Sequence, residues 1–328
     1  MTEQELAAAH QIPTHEGVLR AMTKIADILP KTPLLPLEVD GVTIWCKAEM
    51  LQPIGAFKIR GAWHRLSDLN EDERARGVVG VSSGNHAQGV TWAAKRLGIS
   101  ATIVMPSNAP RMKLEATKAL GANVVLYDRA AESREVVAAG LIAQSGATLV
   151  HAFGDPWVIE GQGTAGIEIT QQLHDFGLSG PNLIVACCGG GGLASGLALA
   201  CPDADIAIVE PEGWDDIIRS LDAGEILPVK DLTHPTYCDA LQTPQTYPVN
   251  FDILRRRVSQ AVSVTTDEVA TAMRVVFEKL HLVVEPGGAV ALAAVLAGKV
   301  QTKAVTAVTL SGGNVDQELF AQLLAQAA

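Results

Sequence analysis

No stretch of about eighteen consecutive apolar residues occurs in the chain, so nothing in it reads as a membrane-crossing helix. Basic runs are equally scarce: none reaches five residues, and the longest, Arg255-Arg256-Arg257, reads as a solvated face. The net charge is −11. Nucleic acids and anionic membrane surfaces both reward positive patches, so neither is expected as a partner. Cys-x-x-Cys is absent, and the five cysteines (Cys46, Cys187, Cys188, Cys201 and Cys238) are odd in number. That excludes the usual zinc cage and points to reduced thiols, hence to a soluble, cytoplasmic protein. Met1 is followed by Thr-Glu-Gln-Glu-Leu, acidic where a secretory signal would be basic. There is no internal repeat, no low-complexity linker and no Gly-Lys-Ser/Thr of a nucleotide-triphosphate loop.

What is present suits a large core: 328 residues, 48% hydrophobic and 19% charged, enough for two domains. Thr14 predicts an N-cap, with Glu16 in the first turn and a helix to about Leu29 presenting Val18, Met22, Ile25 and Leu29 on one face. Thr43–Lys47 reads as a strand, the residues after Lys58 as a helix to about Leu66, and the charged Asn70–Arg74 segment as a linker. Strands at Val78–Val81, Ala101–Met105, Asn123–Leu126 and Thr148–Val150 then alternate with helices at Gln88–Leu97, Arg111–Leu120 and Glu132–Gln144. A second series has a helix at about Gly161–Leu173, strands at Leu183–Cys188 and Asp205–Val209, helices after Gly192 and Asp215, and a strand at Val300–Leu310. Strands alternating with helices of this length make parallel sheets with right-handed crossovers. The expected class is α/β: two doubly wound parallel-sheet domains with a cleft between them.

Four segments carry chemistry. Lys58 lies in Gly55-Ala56-Phe57-Lys58-Ile59-Arg60-Gly61-Ala62, where an aromatic ring and small residues crowd an amine at a helix start. Burial lowers a lysine's pKa, and a neutral amine is what attacks an aldehyde. Gly189-Gly190-Gly191-Gly192 follows an apolar strand and precedes a helix, so backbone N–H groups and the helix's positive end can hold a phosphate. Pyridoxal phosphate, an aldehyde with a phosphate arm, needs both. Ser82-Ser83-Gly84-Asn85-His86-Ala87-Gln88 sits at the carboxyl end of a strand, where ligands bind, and offers hydroxyls, an amide and N–H groups to a substrate carboxylate. Leu310-Ser311-Gly312-Gly313-Asn314 again follows a strand.

In this order and spacing, these four motifs resemble the serine/threonine dehydratase family of fold type II pyridoxal-phosphate enzymes, whose fold is like that of the tryptophan synthase β subunit. Lys31-Thr32-Pro33, Glu132-Ser133-Arg134-Glu135, Gly161-Gln162-Gly163-Thr164 and Glu285-Pro286-Gly287-Gly288-Ala289 extend the similarity over nearly the whole chain. The resemblance implies a large cofactor-binding domain from residues 1–68 and 152–328, and a small, mobile domain from residues 69–151 that carries the substrate loop. It implies that Lys58 forms the Schiff base with Phe57 against the cofactor ring. It gives Asn85 to the ring hydroxyl, Gly189, Gly190, Gly191, Gly192 and Leu193 to the phosphate, and Ser311 to the pyridine nitrogen. Ser82, Ser83, Asn85, His86, Arg134, Asp239 and Glu285 would meet substrate. Glu210, the carbonyl of Trp214 and Asp216 would hold Mg²⁺, Mn²⁺ or Ca²⁺. A homodimer is expected from the same source.

The implied reaction is a dehydrating ammonia-lyase (class 4.3.1) acting on L-threonine, L-serine or 3-hydroxyaspartate to give a 2-oxo acid and ammonia. Ser83, where many dehydrating members that resemble this chain carry alanine, opens a second reading: a serine or other amino-acid racemase using Lys58 and Ser83 on opposite faces. A pyridoxal-phosphate-binding protein without catalysis is a third reading, opposed by Lys58 and Ser311. Ala56, Gly287, Trp214 and the Cys238–Pro244 stretch depart from the usual phrases and bear on the substrate. With the chain ending soon after Asn314, no appended regulatory domain is expected.

Overall fold

The computed structural model describes residues 12–326 apart from 83, 110, 129 and 130. Helix α1 (His15–Ile25) starts where the sequence predicts, with Thr14 Oγ1 accepting from Gly17 N at 3.0 Å. The glutamate that would complete a capping box comes from elsewhere in the chain. Thr14 N donates to Glu160 Oε1 at 3.1 Å, and a Cβ at Gly17 would lie 1.7 Å from that same oxygen. A distant carboxylate thus does the local work, and only glycine leaves it room. The helix stops at Ile25, short of Leu29, although Leu29 is still buried.

Strands β1 (Leu34–Val39) and β2 (Val42–Ala48) form a hairpin through Asp40 and Gly41, both at positive φ (50° and 78°). Asp-Gly is the signature of such a turn. Helix α2 (Lys58–Ser67) follows. The expected linker at Asn70–Arg74 is instead helix α3 (Glu71–Arg76), started by a full capping box between Asn70 and Glu73. Two reciprocal caps with acids in the first turn stabilise a short helix without any apolar face.

The first β/α series matches expectation closely. β3 (Val78–Val81), α4 (Asn85–Leu97), β4 (Ala101–Pro106), α5 (Arg111–Ala119), β5 (Asn123–Tyr127), α6 (Arg134–Ser145) and β6 (Thr148–Val150) form a four-stranded parallel sheet, order β5-β4-β3-β6. Helix α7 (Pro156–Asp175) begins five residues before the expected Gly161, because Asp155 caps Trp157 and Val158 and Pro156 pre-sets the first turn.

The second sheet is built from β7 (Leu183–Cys187), β8 (Asp205–Pro211), β9 (Val258–Val264) and β10 (Thr306–Leu310), with the hairpin at its edge, in the order β1-β2-β10-β7-β8-β9. Helices α8 (Gly192–Ala200), α9 (Asp216–Ala223), α10 (Pro248–Arg257), α11 (Thr266–Val275), α12 (Pro286–Leu296) and α13 (Gln317–Gln326) surround it. Three corrections arise here. The β1–β2 pair is antiparallel, so this sheet is mixed. β10 begins at Thr306 and not at Val300. Within the arginine run, Arg257 is not merely solvated, since its guanidinium donates to the carbonyls of Cys201 and Ala204.

Every residue of β7 and β10 is buried, and α12 is covered on all sides against β7, β8 and β10. Burying one such Val or Leu contributes about 1.5–3 kcal/mol, so this layer fixes the large sheet. Beneath α2 lies a buried charge network. Arg60 pairs with Glu49 and Glu168 at 2.7 Å, and Lys47 pairs with Glu168 at 2.7 Å and donates to Gln172 and the carbonyl of Thr32. Ile59, Ala62, Trp63 and Leu66 of α2 pack instead with the apolar residues of the small sheet. Among the described residues no helix is long and apolar enough to cross a membrane, and all five cysteines are buried free thiols.

Candidate active site

Two turns more than 250 residues apart are clipped together. Phe57 N donates to Ser311 O at 3.1 Å, Gly313 N donates to Gly55 O at 2.9 Å, and Ala56 bridges Gly312. Gly55 has φ +71°, and a Cβ there would meet Asn314 Oδ1 at 2.5 Å, so both its backbone angle and its space demand glycine. The clip sets Lys58 at the first position of α2, over a cavity of about 130 Å³ between the two sheets.

Lys58 Nζ donates to the carbonyl of Ala152 at 2.7 Å and stands 5.2 Å from the centre of the Phe57 ring. Burial lowers its pKa from 10.5 to about 8. A substantial share of neutral amine is therefore available near physiological pH.

Opposite lies the glycine run. A Cβ at Gly190 would fall 2.3 Å from the ring of Phe153, and one at Gly192 2.9 Å from Phe153 Cβ. Thr246 Oγ1 braces the loop by donating to Gly190 O at 3.1 Å. Helix α8 starts at Gly192 with no side-chain cap, so its first N–H groups are free to bind an anion beside Leu193. Ser311 lines the same cavity, and Cys187 Sγ donates to its Oγ at 3.2 Å. Burial pushes the Cys187 thiol up, which keeps it a donor.

The predicted substrate loop borders the cavity through Ser82, Gly84, Asn85 and His86. Ser83 lies outside the described residues. Helix α4 opens at Asn85, three residues before the expected Gln88, also without a side-chain cap. His86 Nε2 donates to the carbonyl of Val150 at 2.8 Å, and burial followed by the Lys58 charge lowers its pKa to about 3, so the ring is neutral. Asn85 Nδ2 donates to Glu285 Oε1 at 2.5 Å, and Asn85 Oδ1 accepts from Asn314 at 2.8 Å. Arg134 and Asp239 line the cavity as well; Arg134 Nε meets Glu135 at 2.6 Å.

One lining residue carries no signal in the sequence. Lys113, on α5, is 3% exposed and reaches Asp239 Oδ2 at 2.6 Å and Glu285 Oε2 at 3.5 Å. Its two acidic partners outweigh burial and hold its ammonium above the ordinary lysine range. Glu285 is raised, chiefly by burial.

Glu210, Trp214 and Asp216 form a separate group at the end of β8. Both Glu210 oxygens accept from the start of α9, at Ile217 N (3.2 Å) and Ile218 N (2.8 Å). Asp216 Oδ2 is buried without a partner. Burial raises Glu210 well above the carboxylate range and lifts Asp216 to about 7. The Trp214 indole donates to the carbonyl of His234. Among the described residues no cluster of three or more His, Cys, Asp or Glu side chains forms a metal cage.

A family model described as "Pyridoxal-phosphate dependent enzyme" matches residues 25–312. The chain belongs to that family. Its own geometry fits the cofactor: a buried low-pKa amine for the aldehyde, and for the phosphate an uncapped helix start behind a loop where a Cβ at Gly190 or Gly192 would run into Phe153. This pyridoxal-phosphate enzyme is 38% identical over 324 residues to the L-threo-3-hydroxyaspartate ammonia-lyase of a Pseudomonas species, covering 96% of this chain and 99% of that one. It is 37% identical over 320 residues to the L-threonine ammonia-lyase of Thermotoga maritima, covering 95% of this chain and 78% of that one. It is likewise 37% identical to the serine racemase of Schizosaccharomyces pombe, covering 96% and 98%. Among solved structures, the T.th. threonine deaminase superposes with TM-score 0.86 at 40% identity over 93% of this chain and 99% of that one. Maize serine racemase superposes with TM-score 0.88 at 33% identity over 96% and 98%.

Proposed function

We propose that this pyridoxal-phosphate enzyme is an ammonia-lyase that removes water from a β-hydroxy amino acid, L-serine, L-threonine or 3-hydroxyaspartate, to release a 2-oxo acid and ammonia. The observation that carries the reading is the buried Lys58 amine at about pKa 8, facing the glycine cradle across one small cavity. Bound pyridoxal phosphate supplies the aldehyde that captures an amino group and an electron-poor ring that accepts charge from the α-carbon.

The chain's own residues do the rest. Lys58, neutral, takes the α-proton as general base. The N–H groups at the open start of α4, with Ser82, bind the α-carboxylate. Phe57 would pack beside the cofactor ring, Asn85 would face its hydroxyl, and Gly189 to Leu193 would hold the phosphate. The Ser311 hydroxyl would face the ring nitrogen as a neutral partner. Such a partner would not keep that nitrogen protonated as a carboxylate does, so release of the β-hydroxyl would be favoured over transamination. The 69–151 segment would close over the substrate as a small, mobile domain on the 1–68 and 152–328 unit.

Racemisation is the second reading, favoured by Ser83 in the sequence and by the serine racemases among the relatives. A divalent cation at Glu210, Asp216 and the Trp214 carbonyl is supported by the unpartnered Asp216 oxygen and the two raised carboxyls. Buried free thiols support a reducing, cytoplasmic setting. The homodimer rests on the family resemblance, and light scattering measures it. The deciding assay incubates the loaded protein with each hydroxy amino acid and follows oxo acid, ammonia and substrate chirality. Oxo acid with ammonia supports the lyase; inverted amino acid without oxo acid overturns it in favour of the racemase.

A further inference from the structure

We infer that Lys113 is the receptor for a second carboxylate on the substrate, with Asp239 occupying it until substrate arrives, so that the preferred substrate is a dicarboxylic hydroxy amino acid. The inference rests on the ammonia-lyase reading above and names the substrate class for the same cavity.

A buried ammonium requires a counter-charge. Lys113 has two, and they differ in how firmly they are held. Glu285 is 1% exposed, sits at 3.5 Å and already accepts from Asn85 at 2.5 Å. Asp239 is closer, at 2.6 Å, yet its side chain is 34% exposed against 4% for Lys113. Water can take back the Asp239 carboxylate at small cost, whereas Lys113 has nowhere to go. The exchangeable member of the pair is therefore the anion. An incoming carboxylate can replace Asp239, while an incoming cation cannot displace Lys113.

Position supports the same assignment. Lys113 packs against Gly84 in the loop read as binding the α-carboxylate, and a Cβ at Gly84 would lie 3.5 Å from Lys113 Nζ. An ammonium beside that loop is placed to take the second carboxylate of a four-carbon amino acid whose first is held by the loop. Arg134 borders the same cavity, its guanidinium paired with Glu135. For serine or threonine, which lack a distal carboxylate, the Lys113–Asp239 pair stays closed and contributes nothing to recognition.

The test compares wild type, Lys113→Met and Asp239→Asn, each loaded with pyridoxal phosphate. It measures kcat/KM for 3-hydroxyaspartate and L-serine, and the Kd of succinate as a non-reacting dicarboxylate. Loss of a charge-assisted contact predicts that Lys113→Met lowers the hydroxyaspartate-to-serine preference about 10- to 100-fold and weakens succinate by a similar factor. Asp239→Asn, by removing the internal competitor, tightens succinate several-fold. An unchanged preference in Lys113→Met, with both substrates reduced equally, marks a structural clasp and overturns the inference. So does succinate binding that Asp239→Asn leaves unchanged or weakens. If Lys113→Met does not fold, the Asp239→Asn result decides alone. A wild type that binds succinate through Lys113 yet makes no oxo acid from any substrate overturns the lyase reading and leaves the second-carboxylate site standing.

Discussion

Lys58 meets two requirements at once: an amine that is neutral often enough to react, and a backbone position held against a turn more than 250 residues away in the chain. Replacement by Ala removes the amine without touching the clip, so Lys58→Ala should fold normally, show no Schiff-base absorbance and lose turnover. A variant that keeps either signal refutes the assigned role. The depressed pKa gives a pH signature as well. Protonated amine cannot attack an aldehyde, so the rate at which cofactor-free protein captures pyridoxal phosphate should rise about tenfold per pH unit and level off above about 8. An unperturbed lysine would keep rising toward 10.5. Gly190→Ala tests the cradle. Its added methyl overlaps the Phe153 ring, and equilibrium titration should show cofactor affinity falling at least tenfold. These residues were legible because Lys58, the tetraglycine and the Ser311 turn are local phrases tied to one chemistry. Lys113 was not, since an amphipathic helix carries many lysines. What singles it out is burial between Asp239 and Glu285, 126 and 172 residues away in the chain.

At the scale of elements, the series from β3 to β6 could be read directly, since each strand is short, apolar and bounded by turn residues. The failures have identifiable causes. α12 is apolar on every side, so no periodicity separates it from a buried strand. α3 has no apolar face, and its only mark was the Asn70/Glu73 box. β1 holds Pro36 and sits at an edge, where proline is tolerated. The network under α2 yields a prediction here. Glu168→Gln removes the shared partner of Arg60 and Lys47 and leaves buried positive charge uncompensated, so denaturant unfolding should show a loss of about 3–5 kcal/mol. A loss below about 1 kcal/mol would mean that water or Glu49 compensates.

At the scale of the molecule, two sheets share one cavity, and the buried carboxyls of Glu210 and Asp216 sit apart from it. If a divalent cation binds there, millimolar Mg²⁺ or Ca²⁺ should raise the melting temperature, chelation should reverse the rise, and Asp216→Asn should abolish it. A melting temperature indifferent to both ions removes the site from consideration. The clip between the Gly55–Lys58 turn and the Ser311–Asn314 turn has a consequence for biosynthesis. The turn that orients the reactive lysine leaves the ribosome more than 250 residues after the lysine itself. A nascent chain therefore cannot acquire vitamin B6 until translation has passed Asn314, and fragments lacking that turn should stay colourless however well their first sheet folds.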